Sequence, residues 1–247
     1  MFSTRWALET FIRRLGNLSP LSRDDMAALS ALPAEPVRFR GNVDIVNPGQ
    51  EFHDACLVVS GLVARFVQLK DGRRQFTAFH MPGDVADIHR LASPLAGSSL
   101  QTLSTATIVR IPARQLKAIS LASPAIMHAF FAYAALDAAV LAQWAVNVGR
   151  RDAQSRMAHF ICEIGIRSEH SDLGSRDEFV LDASQAQIGD ALGLTSVHVN
   201  RTLKALRQSG SIAIDGRIVR ILNWPLLSAQ GDFDDGYLQL VEQVRAA

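Results

Sequence analysis

Ser184-Gln185-Ala186-Gln187-Ile188-Gly189-Asp190-Ala191-Leu192-Gly193-Leu194-Thr195-Ser196-Val197-His198-Val199-Asn200-Arg201-Thr202-Leu203-Lys204 is the stretch from which the fold can be read. Ser184 followed three residues later by Gln187 is a capping-box pair, a hydroxyl and an amide placed to satisfy the free N–H groups of a helix start. Ile188, Ala191 and Leu192 give that helix an apolar stripe of about two turns. Gly193-Leu194 ends it where the chain needs a residue tolerant of positive φ. Thr195 then caps a second helix, Ser196 to Arg207. Beyond it, Asp215-Gly216 joins Ile212-Ala213-Ile214 to Ile218-Val219-Arg220-Ile221, the signature of a two-residue β-hairpin. Helix, turn, helix and hairpin in this order predict a winged helix-turn-helix.

The second helix divides into two faces at 100° per residue. Val199, Thr202, Leu203 and Leu206 fall together and are expected to pack on the preceding helix. Val197, Asn200, Arg201 and Lys204 fall on the other side, flanked by Ser196 and His198. Asn and Arg suit base edges, while Lys204 and Arg207 suit phosphates. With Ser184, Gln185 and Thr195 at the helix starts, these residues form the expected DNA-facing set. From Thr195 to Arg220 the charged side chains are Arg201, Lys204, Arg207, Arg217 and Arg220 against Asp215 alone, a local excess on a chain of net charge +1. A near-neutral chain with a basic reading module fits a sequence-selective binder of double-stranded DNA.

At 247 residues, 48% hydrophobic and 20% charged, the chain has room for two ordinary globular domains. Cys56 and Cys162 are too few for a disulfide framework, and the start of the chain lacks a signal-peptide core, so a reducing, cytoplasmic setting is expected. Pro124 to Val148 is long enough to cross a bilayer. Its Ala-rich composition and central Asp137 argue instead for a soluble helix, buried against its own domain on one side and a second copy on the other. The 3–4 spacing of Met127, Phe130, Ala134, Asp137, Leu141, Trp144 and Val148 predicts the dimer seam.

Toward the N-terminus, a helical preface from Trp6 to Ala31 gives way at Pro33 to β-prone runs separated by turns. They are Val43–Val46, Cys56–Val59, Leu62–Val67, Gln75–Phe79 and Ala106–Ile111, with Asn47-Pro48-Gly49, Ser60-Gly61, Asp71-Gly72 and Met81-Pro82-Gly83-Asp84 between. Such spacing predicts a compact antiparallel roll or barrel.

Taken in order, Pro48-Gly49-Gln50, Val59-Ser60-Gly61, Asp71-Gly72-Arg73, Pro82-Gly83-Asp84 and Gly193-Leu194-Thr195 through Asn200-Arg201 resemble the bacterial CRP/FNR family, on its FNR-like branch. The resemblance spans almost the whole chain. It implies an α+β protein with a cyclic-nucleotide-binding-like β-roll, a long dimerisation helix, and a C-terminal winged helix-turn-helix that binds palindromic operators as a homodimer and works with RNA polymerase. The sensory domain would be residues 1–149, with its helix at about 124–148. The DNA-binding domain would be 150–247, joined at Gly149-Arg150-Arg151-Asp152, where Asp152 caps a helix running to about Arg167.

The sensor signature is incomplete. Gly83 and Asp84 stand where cyclic-nucleotide members hold the ligand, but the following segment reads Gly97-Ser98-Ser99-Leu100, without the Arg that neutralises the phosphate. Gly83, Asp84, Ser98 and Ser99 are therefore the candidate effector pocket, while cyclic AMP or GMP is not the expected ligand. Two cysteines cannot hold an iron–sulfur cluster, and Cys56 and Cys162 read as buried core residues. His53, His80 and His89 show no metal-ligand spacing. No nucleotide-binding, hydrolase or metalloprotease motif is present, so no enzyme activity is expected. The rival reading is a regulatory module whose C-terminal half contacts a protein partner. Effector, regulatory sign and operator sequence are not legible.

Overall fold

In the computed structural model, residues 3–239 are described. The preface is two helices, α1 (Thr4–Leu18) and α2 (Arg23–Ser30), separated at Ser19-Pro20; Ser22 and Asp25 form a reciprocal capping box on α2. The chain continues through β1 (Glu35–Phe39), β2 (Asp44–Val46), β3 (Asp54–Ser60), β4 (Val63–Gln68) and β5 (Arg74–His80). After a 3-10 turn come β6 (Ser99–Thr102), β7 (Ala106–Pro112), α3 (Ala113–Ala122) and α4 (Pro124–Arg150). The remainder is α5 (Ala153–His170), β8 (Glu178–Val180), α6 (Gln185–Leu192), α7 (Ser196–Gln208), β9 (Ile212–Asp215), β10 (Ile218–Ile221) and α8 (Trp224–Gly231). The architecture is the expected α+β one.

Two compact units result. Among the described residues, one comprises 3–66, 79–139 and 238–239; the other comprises 67–78 and 140–237. The last turns of α4 pack with the residues that follow them, Trp144 with Glu163 and Asn147 with Arg156.

β1, β7 and β3 form one antiparallel sheet, while a second has the strand order β2, β6, β4, β5. β3 explains why Asp54–Ser60 reads as a nearly continuous apolar run: both of its faces are buried. Ala55, Leu57 and Val59 join a core with α1, α3 and α4, and Cys56 and Val58 join a second core with Val63, Leu100 and Ile108. Phe11 of α1 stacks on Phe130 and meets Tyr133 edge-on, anchoring α1 to the first half of α4. Both cysteines are free and buried, and burial raises their thiol pKa values, that of Cys162 to about 12. Thiols so placed are poor nucleophiles.

The candidate effector pocket is rearranged by α1. A side chain at Gly83 would strike the Thr10 methyl at 2.6 Å. Asp84 is held by Arg14 and accepts from the Met81 N–H at 2.7 Å. Gly83 and Asp84 are thus covered by the protein's own helix rather than open to a ligand, an outcome the sequence could not reveal because Thr10 and Arg14 are so distant along it. Ser99 is buried on β6 opposite Phe66, with Ser98 half-buried just before it. The roll's buried arginines are also engaged: Arg65 pairs with Asp137, and Arg90 with Asp87. Calorimetric titration with cyclic AMP is accordingly expected to show no binding; low-micromolar binding would mean that one of these arginines exchanges its carboxylate for phosphate.

Candidate nucleic-acid interface

All of the interface elements lie in the second unit, and local chemistry positions each. Ser184 Oγ accepts from the Gln187 N–H at 3.3 Å while Gln187 Oε1 accepts from the Ser184 N–H at 2.7 Å, the reciprocal box expected for α6. Gly193 ends α6 in the left-handed region at φ 64°, and its N–H donates to the Gly189 carbonyl. Thr195 Oγ1 accepts from the His198 N–H at 3.3 Å, capping α7, and contacts His198 Nδ1 at 3.1 Å. The imidazole is thereby held at the start of the helix.

The turn is tight enough to impose a second glycine. A Cβ on Gly189 would lie 2.4 Å from the Leu194 carbonyl oxygen, a backbone atom that cannot move without opening the turn. Gly189→Ala is expected to destabilise the second unit by about 1–3 kcal/mol, the scale of overpacking a filled site. Denaturant melting measures this; an unchanged midpoint would show that the turn relaxes. The sequence signal was a lone glycine inside a helical pattern, which the reading of α6 passed over.

α7 has a buried and an exposed face, and Leu203, expected on the packed side, is half-buried. Val199, Thr202 and Leu206 are buried, whereas Ser196, Val197, His198, Asn200, Arg201, Lys204 and Arg207 are exposed, with Ser184 and Gln185 exposed at the start of α6. Val197 is 69% exposed, unusual for an apolar side chain with nothing of its own chain to cover it. The hairpin of β9 and β10 turns at Gly216, with φ 58°, and β8 adds an unforeseen third strand on β10. That strand matters for charge. Arg220 pairs with Glu178 of β8 at 2.6 Å, and Arg217 pairs with Asp182, so two of the five cations counted from sequence are neutralised by acids outside the counted stretch. Among the described residues, Arg201, Lys204 and Arg207 carry no ion pair. The usable positive charge therefore lies on α7, whose first turn contains no acid.

Residues 74–75 contact the back of this motif within the same unit. Arg74 pairs with Asp190 of α6 at 2.8 Å, and Gln75 donates to the Ala191 carbonyl at 2.9 Å. Arg156 of α5 donates to the Leu192 carbonyl at 3.0 Å. These ties hold α6 through its Asp190 side chain and its Ala191 and Leu192 carbonyls, and the long separations hid them from the sequence.

The seven seam residues expected from spacing divide between buried and open positions, and the open stripe of α4 is centred about a quarter turn away from them, at 100° per residue. Phe130 and Trp144 are buried within their own units, and Asp137 makes a two-pronged pair with Arg65 at 2.8 and 3.1 Å. Met127 and Val148 are half-buried, while Ala134 and Leu141 are exposed. The stripe that remains open is Phe131, Ala134, Ala135, Ala138, Leu141, Ala142, Ala145 and Val146. In a helix that is apolar nearly all round, hydrophobic spacing selects no single face, and burial of the opposite stripe decides it. Among the described residues, α4 is the one helix long and apolar enough to cross a membrane.

Residues 155–230 match the family described as the Crp-like helix-turn-helix domain. The chain is 29% identical over 208 residues to the nitrogen fixation regulation protein FixK of Azorhizobium caulinodans, covering 79% of this chain and 81% of that protein. It is 24% identical over 203 residues to the transcriptional activator protein FnrA of Stutzerimonas stutzeri, covering 82% and 83%. Among solved structures, FixK2 from Bradyrhizobium japonicum superposes with a TM-score of 0.74 at 26% identity, over 81% of this chain and 98% of that one.

Proposed function

Because this chain belongs to the CRP/FNR family of DNA-binding transcription regulators, we propose that it binds a palindromic operator as a homodimer and acts there in concert with RNA polymerase. The observation that carries this reading is the exposed, unpaired polar face of α7: Asn200 and Arg201 address bases, and Lys204 and Arg207 address phosphates. Ser184, Gln185 and Thr195, with Ser196 and His198, border that face and contact the backbone or neighbouring bases. Its action is binding, not catalysis, in the cytoplasm. Residues 1–149 serve as the sensory domain and 150–247 as the DNA-binding domain, with α4 supplying the dimer contact.

In this role Arg201 presents a guanidinium to guanine O6 and N7, and Val197, which cannot accept a hydrogen bond, packs on a thymine methyl instead of reading cytosine. Each half-site is read by one α7, so the operator mirrors the two-fold symmetry of the dimer. Gel-shift titration against operators recovered from random DNA, repeated over a range of salt, is the test. Affinity should fall steeply and log-linearly with salt through phosphate neutralisation. Salt-independent binding, or no enrichment of any sequence, would overturn the reading in favour of a protein partner.

A further inference from the structure

Glu163 on α5 is fully buried, yet donors from α4, from its own helix and from the segment after α8 converge on its carboxylate. Trp144 Nε1, from the last turns of α4, donates to both oxygens at 3.0 and 3.1 Å. Arg167 of α5 donates at 3.2 Å, and the Tyr237 hydroxyl donates at 2.8 Å from the segment that follows α8. A carboxylate out of water is tolerated only when it is paired and its lone pairs are filled, so the position of each donor depends on the others.

The segment Phe233–Tyr237 is seated by more than this one bond. The Tyr237 ring stacks on His159 at 6.1 Å, and Phe233 meets the same imidazole edge-on at 5.0 Å and Trp224 at 6.1 Å. His159 Nδ1 lies 3.3 Å from the Gly231 carbonyl, and burial followed by the neighbouring Arg151 pulls the His159 pKa down, which favours the neutral ring in the stack. At the junction of α4 and α5, Arg151 donates to the carbonyl and side chain of Asp232 at 3.2 and 3.3 Å, and Asn147 donates to the Arg156 carbonyl at 3.2 Å. The elbow is thus touched from two sides: by Asp232, the α8 cap just before the strap, at Arg151, and by Tyr237 of the strap, through Glu163, at Trp144.

We infer that the strap Phe233–Tyr237 is a positioning element for operator reading, fixing the α4–α5 elbow and with it the spacing of the two α7 helices in the dimer. The inference rests on the dimeric, palindrome-reading role proposed above. Tyr237 and Phe233 touch no DNA in this scheme. They act through Glu163 and His159 on the helix that links the dimer contact to the reading motif. A strap that merely stabilised the unit would affect one half-site and two alike, whereas an elbow lock affects the match between half-sites.

The experiment uses full-length protein, wild type and Tyr237→Phe, with Phe233→Ala as a second variant. Affinities are measured for one half-site, for the selected palindrome, and for palindromes with one base pair added to or removed from the spacer. Tyr237→Phe keeps the ring but removes the donor to Glu163. Its half-site affinity should match wild type, while its preference for the native spacer should fall by about tenfold, the scale of one hydrogen bond to a buried charge. Phe233→Ala, which removes the edge-on contacts to His159 and Trp224 and leaves the carboxylate shell, should flatten spacer preference in the same direction. The inference is overturned if both variants keep the wild-type spacer preference, or if half-site and palindrome affinities fall in parallel. A wild-type protein that binds the palindrome no better than a half-site overturns the dimeric reading itself, and the inference with it.

Discussion

Arg201→Ala is expected to weaken operator binding by about 1–3 kcal/mol per half-site and to relax the preference for guanine at the base pair it reads. The side chain is exposed on the face of α7 opposite Val199, Thr202 and Leu206, and no carboxylate within the described residues competes for it. Its removal costs the fold little, because it packs against nothing in the core. The lost energy is a bidentate contact, whose strength depends on two donors meeting two acceptors in one plane. Lys204→Ala, on the same face, should lower affinity for all sequences similarly and reduce the salt slope by about one, as loss of a single phosphate contact requires. Binding selection with each variant separates the two effects. If Arg201→Ala retains the wild-type consensus and affinity, α7 does not enter the groove by this face.

Charge placed on the open stripe of α4 is expected to convert the dimer to monomers. Phe131 is 69% exposed, and Leu141 and Val146 are 40% and 44% exposed, along a stripe otherwise made of alanines that let a second helix approach closely. Burying a side chain of the size of Leu or Phe contributes about 1.5–3 kcal/mol, and each residue is buried twice in a two-fold dimer. Phe131→Glu or Leu141→Glu loses that contribution and desolvates two carboxylates, so sedimentation at micromolar concentration should show monomers where wild type shows dimers. Palindrome affinity should collapse toward that of one half-site. Trp144→Glu is no substitute: it would put a second carboxylate beside buried Glu163 and disrupt the unit's interior. Dimers that survive both substitutions would exclude this stripe as the contact.

The difference between these two predictions reflects how each region is written in the chain. The reading motif is local. Ser184 with Gln187, Gly193 at positive φ, and Thr195 with the His198 N–H are interactions over three or four residues, so their chemistry is visible in the order of letters. β3 was likewise legible, because a strand buried on both faces must be apolar throughout. β1, β6 and β8 were not. They are short, and Glu35–Phe39 and Glu178–Val180 owe their extension to pairing with β7 and β10, partners far away in sequence.

The sequence alone determined that residues 184–221 form a winged helix-turn-helix, which face of α7 points outward, and that α4 is a single long helix, since each follows from local capping, turn geometry and periodicity. Tertiary structure alone decided which stripe of α4 stays open and which arginines remain unpaired. It also decided that α1 covers Gly83 and Asp84, and that Trp144, Glu163 and Tyr237 share one buried carboxylate. Those outcomes depend on which groups, scores of residues apart, compete to fill the same space and satisfy the same charge. A pattern of neighbours along the chain holds no record of that competition.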